Sequence, residues 1–155
     1  MNVIIRSIEQ PTYSIHKKDP SDFLINGLME LLDQYQRLEI AMKLARGRRK
    51  KAQGGGYAGG KAAYGYHVQK GTKQLSISPE NARAVQRVFT IRKQYPSWSL
   101  SQIASQLNLE GFQTAQGKEF TKVQVKRILD REPFYKGQYS YADVTCLHGQ
   151  HPAII

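Results

Sequence analysis

Apolar residues at 24, 28, 31, 35, 38, 42 and 45 (Leu24, Leu28, Leu31, Tyr35, Leu38, Met42 and Ala45) recur at alternating intervals of four and three. On a helix that spacing keeps the side chains on one stripe, whereas a strand of period two would scatter them over both faces. Sustained over three heptads, it predicts a long helix with a seam shaped for a second helix. Pro20-Ser21-Asp22 marks the start, with Ser21 or Asp22 available as the N-cap. From Asp22 to Arg46 such a helix would span roughly 37 Å. An ordinary amphipathic helix lying on its own domain carries the same stripe, but the short segment before it is too little chain to form a body. We therefore expect Leu24, Leu28, Leu31, Tyr35, Leu38 and Met42 to face another helix.

The seam runs directly into charge. Residues 43–51 contain Lys43, Arg46, Arg48, Arg49, Lys50 and Lys51 and no acid, a local charge of +6 out of +11 for the 155-residue chain. Residues 1–42 carry −2 and residues 52–155 carry +7. A solvated charge run would look the same, but an excess of this size also suits an anionic partner. Glycines follow instead of an apolar helical face, which argues against a membrane-surface patch. No apolar run approaches a membrane span, and Val3 to Ile5 is cut off by Arg6 before it could form a signal peptide. The single cysteine excludes an internal disulfide framework. Together these features point to a cytoplasmic, nucleoid-associated protein.

The remaining elements read as α+β, mostly helical. A short strand is expected over 3–8 and a loop from Pro11 to Asp19. Residues 52–63, with five glycines, read as a flexible connector. Tyr64–Val68 and Leu75–Ile77 flank Lys70-Gly71-Thr72 as a hairpin. Ser78-Pro79-Glu80 opens a helix to about Gln94, with Ala84, Val85, Val88, Phe89 and Ile91 inward. Ser99-Leu100-Ser101-Gln102 and Thr121-Lys122-Val123-Gln124 are capping boxes that open two further helices. Tyr135 to Tyr141 alternates aromatic and polar residues and reads as a strand.

Three successive helices, the last two short, suggest a helix-turn-helix-like module, although the joining loop 110–120 is longer than usual. Stepping by 100° along the third helix turns Thr121, Val125, Ile128 and Leu129 inward and Val123, Lys126 and Arg127 outward, flanked by Lys122. That outward set suits a major groove, with base or phosphate for the cations and a thymine methyl for the valine. The expected DNA contacts are Arg46, Arg48, Arg49, Lys50, Lys51, Lys61, Lys118, Thr121, Lys122, Val123, Lys126 and Arg127. A plain solvated helix face is the alternative for the outward residues of the third helix.

In order along the chain, Arg46-Gly47-Arg48-Arg49-Lys50-Lys51, Gly54 to Gly60, Tyr64-Gly65-Tyr66, Ser78-Pro79-Glu80, Ser99-Leu100-Ser101-Gln102-Ile103-Ala104, Phe120-Thr121 and Phe134-Tyr135-Lys136-Gly137 resemble the recombinase domain of the large serine recombinases. The wording of 37–60 is most similar to element-excision recombinases of filamentous cyanobacteria. Ala63 departs from the family, which usually has proline there. The resemblance implies a chain organised as 1–19, the end of a catalytic domain; 20–51, a long interdomain dimerisation helix with a basic end; 52–63, a linker; 64–145, the recombinase DNA-binding domain; and 146–155, a tail. It also implies double-stranded DNA as partner, with a homodimer or a catalytic recombinase subunit meeting the long helix.

The family's serine nucleophile belongs to a domain expected to be absent from this chain, so no catalytic residue is assigned. Arg6-Ser7-Ile8-Glu9-Gln10 only superficially matches a nucleophile motif, lacking its valine and upstream tyrosine. Cys146, His148 and His151 lack the paired spacing of a zinc ribbon, and Gly54 to Gly60 lacks the end of a P-loop. No metal or cofactor is expected. A free-standing helix-turn-helix regulator and the DNA-binding half of a split recombinase are the alternatives.

Overall fold

Pro20 stands at the first helical position of α1 (Pro20–Gln53), where its missing N–H costs nothing. The cap is Asp19, whose Oδ1 accepts from the Ser21 amide at 2.9 Å, and not Ser21 or Asp22 as the sequence suggested. The computed structural model describes residues 19–155. The expected strand at 3–8, and the expected loop from Pro11 up to that cap, lie outside the described residues. Two units divide the chain, Met1–Arg46 and Gly47–Ile155. In the first, every expected seam residue of α1 is exposed, Leu38 at 65%.

The fold is α+β and mostly helical, with a long N-terminal helix and two small antiparallel hairpins. In the second unit, β1 (Tyr66–Val68) pairs antiparallel with β2 (Leu75–Ile77), Tyr66 opposite Ile77. Next comes α2 (Pro79–Gln94), entered through Ser78, with Glu80 in its first turn and Arg92 and Lys93 in its last, matching the helix dipole. Its Ala84, Val85, Val88 and Ile91 are fully buried, while Phe89 is half-buried. α3 (Leu100–Leu109) and α4 (Lys122–Leu129) both begin with complete capping boxes, at Ser99/Gln102 and Thr121/Gln124. α3 and α4 pack on each other and both on α2. Ile103, Leu107, Val125 and Ile128 fill the space between them. Each such side chain contributes about 1.5–3 kcal/mol by leaving water.

Three expectations are corrected here. Tyr135 is not in a strand: α5 (Glu132–Tyr135), with Pro133 in its first turn, carries it, and only β3 (Tyr139–Tyr141) is extended. β3 pairs with β4 (Val144–Cys146), a strand the sequence did not signal. The physical reason is tertiary, since Tyr135 is fully buried and its hydroxyl donates to the Tyr64 carbonyl at 2.9 Å.

The glycine stretch is not a loose connector either. α1 continues to Gln53, and Ala52 and Ala58 are buried. The Ala58 amide donates to the Tyr139 hydroxyl at 2.7 Å, and the Gln150 amide donates to the Gly55 carbonyl at 2.9 Å. At Gly55 (φ +73°) a Cβ would meet the His148 carbonyl oxygen at 2.6 Å, so glycine serves a close approach there.

Residues 146–155 are likewise built in rather than trailing. Ile154 enters the core and its amide donates to the Tyr135 carbonyl at 2.8 Å. The Tyr66 hydroxyl donates to the Pro152 carbonyl at 2.7 Å. Gly65 (φ +94°) lets Ile154 and Val85 close over β1, since a Cβ would stand 2.9 Å from the Ile154 methyl.

Candidate nucleic-acid interface

The position of α4 is set from both ends. At its start, the Gln124 carboxamide oxygen accepts from the Thr121 amide at 2.7 Å and from its hydroxyl at 2.8 Å. Just before it, the Asn108 side chain at the end of α3 accepts from the Phe120 amide at 2.7 Å and donates to the Phe120 carbonyl at 3.0 Å. One carboxamide thus replaces a pair of backbone bonds and holds the end of the 110–120 loop against α3. The end of α3 is in turn held to α2, because Arg87 grips the Glu110 carboxylate with two guanidinium nitrogens. That hydrogen bond lowers the Glu110 pKa and raises that of Arg87.

With α4 held, its inner face buries Val125 and Ile128, and Leu129 is half-buried. Lys122, Val123, Lys126 and Arg127 are exposed, as the 100° stepping required. Thr121 is a correction: it is exposed and caps the helix instead of packing inward, because an N-cap residue is not helical and the stepping does not extend to it. Lys118 sits in a tight turn whose Thr114 amide donates to the Lys118 carbonyl at 2.8 Å.

Arg46 is exposed on α1 in the first unit. Arg48, Arg49, Lys50 and Lys51 are exposed on the last turns of α1, in the second. Arg49 has a partner, Asp143, at 3.1 Å. Lys61 and Arg127 both line a groove of about 520 Å³, together with Arg131. Arg131 was missed by the sequence reading, although its four-residue spacing from Arg127 was the available signal.

Burial keeps the surrounding tyrosines neutral. The hydroxyls of Tyr64 and Tyr66 are pushed up to about 12, and that of Tyr135 higher still. His151 is buried, stacked on Phe134 at 4.3 Å, with Nε2 2.8 Å from the Phe134 carbonyl. Among the described residues no group of three or more His, Cys, Asp or Glu is placed to hold a metal. No helix of the described residues is long and apolar enough to cross a membrane.

The model of the Recombinase family matches residues 79–155, from the first residue of α2 to the end of the chain. No curated protein matches. Among solved structures, "Crystal Structure of a LSR-DNA Complex" holds a chain with a TM-score of 0.59 and 23% identity over 73% of this chain. A chain from "Sequence Requirements of the Listeria innocua prophage attP site" aligns with a TM-score of 0.57 and 23% identity, also over 73% of this chain. This chain covers 34% and 46% of those two chains, less than half of either. These likenesses establish the fold.

Proposed function

We propose that this chain is the DNA-binding portion of a site-specific serine recombinase, engaging duplex DNA through the outer face of α4 and the basic end of α1. The observation that carries this reading is the Recombinase match over 79–155, the segment that contains α2, α3 and α4. Solved relatives of the same fold come from an LSR–DNA complex and from work on a prophage attP site, which agrees with a DNA partner.

In this reading α2, α3 and α4 act as a helix-turn-helix-like module. Lys122, Val123, Lys126 and Arg127 meet a major groove, and Lys118 and Thr121 lie beside it. Arg46, Arg48, Lys50 and Lys51 meet phosphates, joined by Arg49 once it releases Asp143. Residues 64–145 then form the binding domain and 20–51 the interdomain helix. The exposed seam from Leu24 to Met42 serves association, with a second copy or with a catalytic recombinase subunit.

Fluorescence anisotropy on a duplex selected from a random pool, and on a random duplex, tests the reading. Lys126→Ala should cost about 1–3 kcal/mol on the selected duplex and little on the random one. Arg48→Ala with Arg49→Ala should weaken both and reduce the log–log salt slope by about 1.8. Equal losses on both duplexes for Lys126→Ala would remove α4 from the reading role.

A further inference from the structure

Among the described residues, some cations hold a partner and others do not. Lys43, Arg49, Arg87 and Lys136 each hold an acidic partner within 4 Å, and Arg92 caps the carbonyls of Pro96 and Trp98. Lys61, Arg127 and Arg131 belong with the unpaired cations, and a shared groove sets them apart from the rest. All three are exposed, none makes an ion pair or side-chain hydrogen bond among the described residues, and all three line the same 520 Å³ groove. No acidic side chain lines that groove. Asp130 lines the adjoining cleft with Lys61 and Arg131, but one acid does not balance three cations, and an anion lying among them relieves the remaining repulsion.

The groove also has an aromatic and an amide side chain in its lining. Tyr64, half-buried, lines it, while the neighbouring Phe120 and Tyr135 are buried beneath. The two tyrosine hydroxyls are already engaged, with the Gln113 and Tyr64 carbonyls at 2.6 and 2.9 Å, so the rings offer carbon rather than hydrogen-bonding groups. Gln124 lines the wall. Its carboxamide oxygen is occupied by Thr121, and its amide nitrogen has no partner among the described residues and can donate.

We propose that this groove seats the sugar-phosphate backbone of one DNA strand, with Lys61, Arg127 and Arg131 as phosphate contacts and the exposed edge of Tyr64 against a sugar. The inference rests on the DNA-binding reading and refines it. Arg127 leaves the base-reading set, so Lys122, Val123 and Lys126 are the side chains that reach base edges. Arg131 joins the interface. The groove thereby sets the register of α4, because backbone contacts orient a reading helix without themselves carrying sequence information.

The experiment measures binding of the full chain to a mixed-sequence duplex across a salt series, with selection from a random pool in parallel. Lys61→Gln, Arg127→Gln and Arg131→Gln should each reduce the log–log salt slope by about 0.9, and the triple variant by about 2.7. Arg131→Lys should keep the wild-type slope. The sequence selected by Arg127→Gln should match the wild-type sequence, whereas Lys126→Gln should select a different one. All three side chains are exposed, so thermal unfolding of the variants should match wild type. Salt-dependent wild-type binding with an unchanged slope in the folded triple variant would overturn the groove and leave DNA binding standing. A changed preference in Arg127→Gln would return Arg127 to base reading and overturn its assignment here. Absence of wild-type binding to any duplex would remove both readings.

Discussion

Leu107 of α3 is fully buried, while Leu38 of α1 is 65% exposed. The two regions handle similar leucine-bearing helices in opposite ways. In the unit from Gly47, α2, α3 and α4 cover one another's apolar faces, and the β1–β2 hairpin, α5 and the last residues close the core. In the unit ending at Arg46, Leu24, Leu28, Leu31, Tyr35, Leu38 and Met42 are exposed. The contrast separates helices whose apolar faces are buried from one whose apolar seam is exposed.

The contrast breaks most sharply at Tyr135. Tyr135→Ala should destabilise the second unit by about 3–5 kcal/mol, read as a lower urea midpoint. If that unit unfolds at the wild-type midpoint, Tyr135 is not its keystone. Leu31→Ala should instead leave that midpoint alone and weaken self-association by about 1.5–3 kcal/mol in sedimentation equilibrium. A seam variant that shifts the urea midpoint and not the association would reverse the assignment of the two regions.

Alkaline titration sharpens the same division. Tyr64 and Tyr66 titrate at about 12 in the folded chain against an ordinary 10.0, so the fold favours their neutral forms. Their contribution is complete below pH 10 and is lost as pH rises through about 12, because there the unfolded chain has released protons that the folded one retains. Thermal melts should weaken over that window. A flat melting temperature from pH 9 to about 12 would count against buried hydroxyls.

A smaller effect is expected at Ser99→Ala, which removes half of a capping box and should cost about 1 kcal/mol of chemical stability. The smallest is Asp143→Asn. Its ion pair with Arg49 is exposed on both sides, so stability should change by less than about 0.5 kcal/mol. The same variant frees Arg49 for phosphate, and duplex affinity at low salt should rise slightly.

Legibility followed locality. The capping boxes at Ser99/Gln102 and Thr121/Gln124, the Pro79 helix start and the β1–β2 hairpin were readable because each is specified within a few residues. The outward set on α4 was readable for the same reason, as 3.6-residue geometry alone turns Val123, Lys126 and Arg127 away from Val125 and Ile128. Failures came where partners are distant. Five glycines between 52 and 63 read as flexibility, yet Tyr139 and Gln150 anchor that stretch from more than eighty residues away. Tyr135 alternates with polar neighbours as a strand residue would, but its burial against Tyr64 and Phe89 puts it in α5.

By itself, then, the sequence determined the long helix, its apolar seam, the cationic run and the face that α4 turns outward. Periodicity, capping and charge are properties of neighbouring residues, which any chain of this order carries with it. Tertiary structure alone decided that the glycine stretch and the last ten residues belong to the folded body. It also brought Lys61 of that stretch into one groove with Arg127 and Arg131. Such convergence depends on which distant surfaces exclude water together, and no local pattern encodes it.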